Sequence, residues 1–217
     1  MTFSTELIVL SSTKLGEKSL VVHCLTPALG RRSFITTVPS GGGMALFLPL
    51  NILEGEVSEN PKSDLWRVRR LTAASPLNGI RSSISKNSIT LFMSEVLYRT
   101  VRDGVLEDGL FDWCRRSILT LDALESDFSN YHLRFLLEFT VALGFSPSLT
   151  DLAPFAGEHL SEIRTLLESD FAGSMLLPLN GVARNEIAES LLQYIGFHSD
   201  CRLNIRSLAV LRELWRC

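Results

Sequence analysis

The residues whose spacing points to chemistry are arginines. In Leu65-Trp-Arg-Val-Arg-Arg-Leu71, side-chain type alternates. A β-strand turns successive side chains to opposite faces, so Trp66 and Val68 share one face and Arg67 and Arg69 the other. Two guanidiniums about 7 Å apart match the phosphate spacing of an extended nucleic-acid strand. Arg70 follows directly, and Arg31 and Arg32 open another apolar segment. A basic groove with a stacking aromatic close by is how a small β-barrel commonly holds single-stranded nucleic acid. Phe34 and Trp66 fit that stacking role and equally fit a core. The arginines also fit a second account, in which they are solvated or pair with Glu54, Glu56 and Glu59.

Other chemistries find little. The four histidines, at 23, 132, 159 and 198, fall on separate elements, and neither His-x-x-x-His nor Cys-x-x-Cys occurs. No Gly-x-Ser-x-Gly elbow marks a nucleophile. The Gly41-Gly-Gly43 run lacks the Lys-Ser/Thr of a phosphate loop. Glu158, Glu162 and Glu168 read as helix-surface acids. The chain is therefore expected not to be an enzyme and to carry no cofactor and no metal.

Hydrophobic residues make up 46% and charged residues 21% of the 217 residues, ordinary values for a globular protein. The formal net charge is −3, but it is unevenly spread. Residues 1–75 hold eight Lys and Arg against six Asp and Glu, and residues 76–217 hold thirteen against eighteen. A basic face can thus sit inside an acidic total. The cysteines, at 24, 114, 201 and 217, form no paired motif, and no signal peptide or membrane-length apolar run is present. A cytoplasmic protein with reduced thiols is expected. At the C-terminus, Arg202 and Arg206 stand one turn apart, as do Arg212 and Arg216. They suit the helix dipole, or they rim an apolar pocket for an acidic, hydrophobic peptide.

These residues need a frame. Five strands are predicted within residues 1–75: Leu7–Ser11, Ser19–Thr26, Arg32–Val38, Asn51–Ser58 and Leu65–Ala74. In the second, Leu20, Val22 and Cys24 take one face and Val21, His23 and Leu25 the other. A strand apolar on both faces belongs in a closed barrel or between two layers. Five strands in about 70 residues is the size of an OB-type barrel; an SH3-like barrel fits the spacing equally. Three consecutive glycines make Pro39–Met44 an expected mobile loop, and Ala45–Pro49 a short turn. Beyond Ser75-Pro76 the period turns helical. Helices are predicted from within Ile80–Lys86 to near Gly104, then over Leu110–Leu124, Tyr131–Leu143, Leu160–Glu168, Glu186–Ile195 and Leu203–Trp215. Gly144 and Gly196 are read as C-terminal caps. The fold class is an all-β OB-type barrel followed by an all-α helical bundle. That makes two domains, 1–75 for nucleic acid and 76–217 for partners.

The order of motifs resembles the RecO family of bacterial recombination mediators. Lys14-Leu-Gly-Glu-Lys-Ser-Leu-Val-Val-His-Cys-Leu-Thr26 with Gly30 is similar to the family's opening turn and strand. Met44-Ala-Leu-Phe-Leu-Pro-Leu50 is similar to its step into strand four. Ile89-Thr-Leu-Phe-Met-Ser-Glu-Val-Leu97, Asn130-Tyr-His-Leu-Arg-Phe-Leu-Leu137 with Leu143-Gly-Phe145, and Ile205-Arg-Ser-Leu-Ala-Val-Leu-Arg-Glu-Leu214 resemble its helices. The resemblance implies binding of single- and double-stranded DNA, annealing of complementary strands, and loading of recombinase onto single strands coated by single-stranded-DNA-binding protein. It implies RecR and the acidic C-terminal tail of single-stranded-DNA-binding protein as partners, and a nucleoid-associated cytoplasmic location. Two departures stand out. Residues 145–175 lack the cysteines of the zinc module that many relatives carry, and Ser40-Gly-Gly-Gly43 lacks the usual basic residues of that loop. DNA binding would then fall to Arg31, Arg32, Arg67, Arg69 and Arg70, with Arg81 and Lys86 at the domain junction. The alternative is a protein-interaction adaptor with little or no DNA binding.

Overall fold

The computed structural model describes residues 1–38, 43–61 and 63–215. Most of the expected mobile loop, at 39–42, lies outside the described residues, as does Arg216. The strands are β1 (Thr2–Leu15), β2 (Ser19–Thr26), β3 (Gly30–Thr37), β4 (Ile52–Ser58) and β5 (Trp66–Ala73). They close a barrel in the order β1-β2-β3-β5-β4, with β3 and β5 parallel and the other pairs antiparallel. This Greek-key order is that of an OB-type barrel and decides against the SH3-like alternative. A 3-10 turn over Gly43–Phe47 stands near the expected short turn.

The two-faced apolar character of β2 has the anticipated cause. Leu20, Val22 and Cys24 join Leu7, Val9, Phe34 and Val57 in the barrel interior. Leu25 turns outward and joins Ile8, Leu10, Leu50 and Ile52 in a second core shared with the helices. β1 serves both neighbours, pairing with β4 over Thr2–Ile8 and with β2 over Ile8–Leu15.

The helices are α1 (Asn78–Arg81), α2 (Ile84–Thr100), α3 (Leu110–Ala123), α4 (Tyr131–Ala142), α5 (Leu149–Leu152), α6 (Leu160–Glu168), α7 (Phe171–Leu176), α8 (Gly181–His198) and α9 (Ser207–Leu214). Three readings need correction. The first predicted helix starts at Ile84, within the expected range, but a short α1 that was not anticipated precedes it, set apart because Ser83 adopts an extended conformation and its side chain caps α2 by accepting from Lys86 N. α7 was not anticipated. Helix α8 runs through Gly196 and does not stop there. A Cβ at that position would come 2.7 Å from the Cys201 carbonyl oxygen, so the glycine serves a close approach of chain segments. Gly144, by contrast, ends α4 as expected, at a φ of 84° and with its N–H donating to Val141 O.

Candidate nucleic-acid interface

β3 and β5 meet over only two residue pairs, Phe34 with Trp66 and Ile35 with Arg67. Beyond them the strands continue without pairing and leave a cleft of about 460 Å³. Ser19, Thr36, Thr37, Arg67, Arg69 and Arg70 line it, over Ile35 and Val68. The predicted alternation holds for its first part, with Arg67 and Arg69 exposed and Val68 buried. A bulge then breaks it. Glu54 pairs with Thr72 but Glu56 with Arg69, so Gly55 alone opposes Arg70 and Leu71. Arg70 takes a left-handed φ of 53°, and both Arg69 and Arg70 reach solvent. Gly55 leaves room there for the Leu71 side chain, whose Cδ2 would lie 2.8 Å from an added Cβ.

Arg70 forms an ion pair with Glu56, with 78% of its own side chain exposed. So exposed a pair contributes little to stability and gives way readily to another anion. Arg67 and Arg69 have no ion pair among the described residues. The β1–β2 hairpin brings two further cations to this end of the barrel. Ser19 pairs with both Leu15 and Thr37, and Lys18 O accepts from Val38 N at 3.0 Å. Lys14 and Lys18 flank that pairing and are exposed. Sequence reading passed over them. The signal was the hairpin itself, whose turn must lie beside the far end of the third strand.

The other four nominated residues stand elsewhere. Arg31 donates through Nη1 to the Tyr98 and Val101 carbonyls at the end of α2, and its guanidinium lies 4.6 Å from the Tyr98 ring centre. Across that ring, His23 Nδ1 and Ser33 Oγ are 2.8 Å apart, and burial, then Arg31, lowers the His23 pKa. Arg32 is half-buried against Gly104, where an added Cβ would meet its guanidinium at 3.3 Å. Arg81 donates to Pro49 O at 3.0 Å, to Asn51 Oδ1 and to Asn87 Oδ1. Burial lowers its pKa, with Asp122 opposing. Lys86 is only 4% exposed and donates to the Asp122 and Leu124 carbonyls. Arg31 and Arg81 thus direct their charge into the junction between barrel and helices, and Lys86 turns its charge into the helical part, onto the end of α3. The stacking candidates turn inward as well: Phe34 is fully buried and Trp66 packs against the barrel core. Among the described residues no cluster of three or more His, Cys, Asp or Glu could hold a metal ion.

The profile for the C-terminal region of recombination protein O matches residues 81–153, from the end of α1 past α5. A DNA repair protein RecO of Bacteroides fragilis is 32% identical, over 96% of this chain and 97% of its own length. The chain belongs to the RecO family. A RecO of Flavobacterium psychrophilum is 29% identical over 99% of this chain and 100% of its own. Another, of Phocaeicola vulgatus, is 29% identical over 96% and 97%. The likeness to RecO therefore spans barrel and helices alike. Among the described residues no helix is long and apolar enough to cross a membrane.

Proposed function

We propose that the chain is a mediator of DNA repair and recombination that holds DNA through the β3–β5 cleft. In this reading it binds single- and double-stranded DNA and anneals complementary strands. It also helps load recombinase onto single strands coated by single-stranded-DNA-binding protein, in the cytoplasm at the nucleoid. It makes and breaks no covalent bond; its work is positioning. The reading rests on the convergence of Arg67, Arg69 and Arg70 with three hydroxyls on one exposed cleft of an OB-type barrel, in a RecO-family chain. Arg31, Arg32 and Arg81 act as supports that seat the barrel on the helices, and Lys86 as a support within the helical part. Each guanidinium that meets a phosphate releases counterions, so affinity falls steeply with salt.

Anisotropy of a labelled single strand over a salt series tests this. Arg67→Ala combined with Arg69→Ala should weaken binding and make the log–log salt slope shallower by about 1.4. An unchanged slope removes β5 from the site. A parent chain that binds at neither low nor moderate salt would instead be an adaptor for protein partners.

RecR and the acidic tail of single-stranded-DNA-binding protein are the proposed partners. A groove of about 790 Å³ between α8 and residues 200–208 supports the tail. Phe155, Phe197, Leu203, Ile205 and Leu208 make it apolar, and Arg202 stands on its wall. Two acids also stand on the wall, Glu189, which is paired with Arg212, and Asp200, two residues before Arg202. An apolar trench edged by a cation suits a peptide that ends in acidic and hydrophobic residues. Arg202→Glu should abolish binding of such a tail peptide in calorimetric titration, and undiminished binding would place the tail elsewhere.

A further inference from the structure

The polar lining of the cleft is of one chemical kind. It consists of the guanidiniums of Arg67, Arg69 and Arg70 and the hydroxyls of Ser19, Thr36 and Thr37. All can donate to phosphate and sugar oxygens, and contacts to those oxygens position a strand without reading its sequence. The remaining walls, Ile35 and Val68, are aliphatic. The barrel segment 1–73 contains four aromatic residues, Phe3, Phe34, Phe47 and Trp66. Each is committed to the interior: Phe34 and Phe47 are 0% and 5% exposed, and Phe3 and Trp66 pack partly buried on the same core. The remaining ring, His23, is engaged by Ser33 and Tyr98 at the helical junction. Leu15, exposed at the end of the adjoining hairpin, offers no π face.

We infer that the cleft takes the sugar–phosphate backbone alone and leaves the bases facing solvent, free to pair. The inference rests on the DNA reading above and adds the chemical class of the ligand, a deoxyribose-phosphate chain with or without bases. A barrel that stacks bases on aromatic rings draws affinity from every base it covers. It also covers the faces that must stack again when a complementary strand arrives. A strand held by phosphates keeps its pairing edges open, which is the geometry that annealing requires.

The test compares a thymidine oligonucleotide with one of equal length in which every nucleotide is an abasic tetrahydrofuran unit. The expected result is affinity equal within about twofold and parallel salt slopes. Thymines of the bound strand should also keep the permanganate reactivity of the free strand. A loss of roughly tenfold or more on the abasic strand, or thymines protected from permanganate, would overturn the inference while leaving DNA binding intact. Arg67→Ala with Arg69→Ala should weaken both oligonucleotides by the same factor, and a loss confined to the thymidine strand would equally overturn it. If the parent chain binds neither oligonucleotide at low salt, the DNA reading fails and takes this inference with it.

Discussion

Lys86 and Arg67 are both nominated cations, Lys86 between Ser85 and Asn87 and Arg67 between Trp66 and Val68, so the sequence would make Lys86 the more exposed of the two. The structure reverses that order. Arg67 is exposed and unpaired among the described residues, whereas Lys86 is 4% exposed. Its ammonium donates to Asp122 O at 3.0 Å and to Leu124 O, and lies 5.3 Å from the Phe128 ring centre. Those carbonyls close α3, where the helix dipole favours a cation. Lys86→Met keeps the aliphatic stem and strands both acceptors. It should cost about 2–4 kcal/mol in denaturant unfolding, and leave the DNA affinity of the folded protein unchanged. Weakened DNA binding at unaltered stability would return Lys86 to the interface. The alternation in β5 was legible because period two is enforced by the backbone itself. The fate of Lys86 was not, because it depends on carbonyls more than thirty residues away.

Elements were legible where apolar pattern and turn residues agreed. β2 and α6 run over the anticipated residues, Ser19–Thr26 and Leu160–Glu168, each bounded by turn-forming neighbours. β1 was underestimated at both ends. Only Leu7–Leu10 forms a continuous apolar run, and its mostly polar flanks are strand because β4 and β2 supply ladder partners. That is tertiary context overriding composition. The start of α9 was misread for a related reason. Its N-terminal donors are capped from another helix, with Glu95 Oε2 of α2 accepting from Ser207 N at 2.8 Å and from Ser207 Oγ at 2.7 Å. Burial pushes the Glu95 pKa up, but these bonds, with Arg206 and Arg99, hold it below the usual carboxylate range. No local capping signal could mark that boundary. The cleft itself was half legible: Arg67, Arg69 and Arg70 were, whereas the bulge that turns Arg70 to solvent beside Arg69 and the hairpin that sets Ser19 on the cleft come from strand pairing.

At the scale of the molecule, a division at residue 75 conceals how much the two parts share. Ile8, Leu10, Leu25, Leu50 and Ile52 on the barrel lie in one buried cluster with Ile80, Ile89 and Phe92 of the helices. Arg31 and Arg81 fasten the seam at two places. Barrel and helices are therefore expected to unfold as one unit, and His132 supplies a trigger by which to see it. It is fully buried between the Phe92 and Trp215 rings, and among the described residues neither ring nitrogen has a well-formed hydrogen bond, the nearest backbone being that of Ser129. Burial, then the Arg184 cation, pushes its pKa down to about 3, and the Ser129 backbone offsets only part of this. Because the folded-state value lies below the ordinary 6.5, the unfolded chain binds the extra proton. The contribution of His132 is complete above pH 6.5 and is lost as pH falls toward 3, by on the order of 1 kcal/mol per pH unit. Hydrogen exchange during acid titration should show β2 and α4 losing protection at a single midpoint. His132→Phe retains the ring between Phe92 and Trp215 without a titratable nitrogen, and should move that midpoint to lower pH for both elements. If α4 alone shifted while β2 kept its own transition, the barrel would be an independent unit and the shared core would not couple it to the helices.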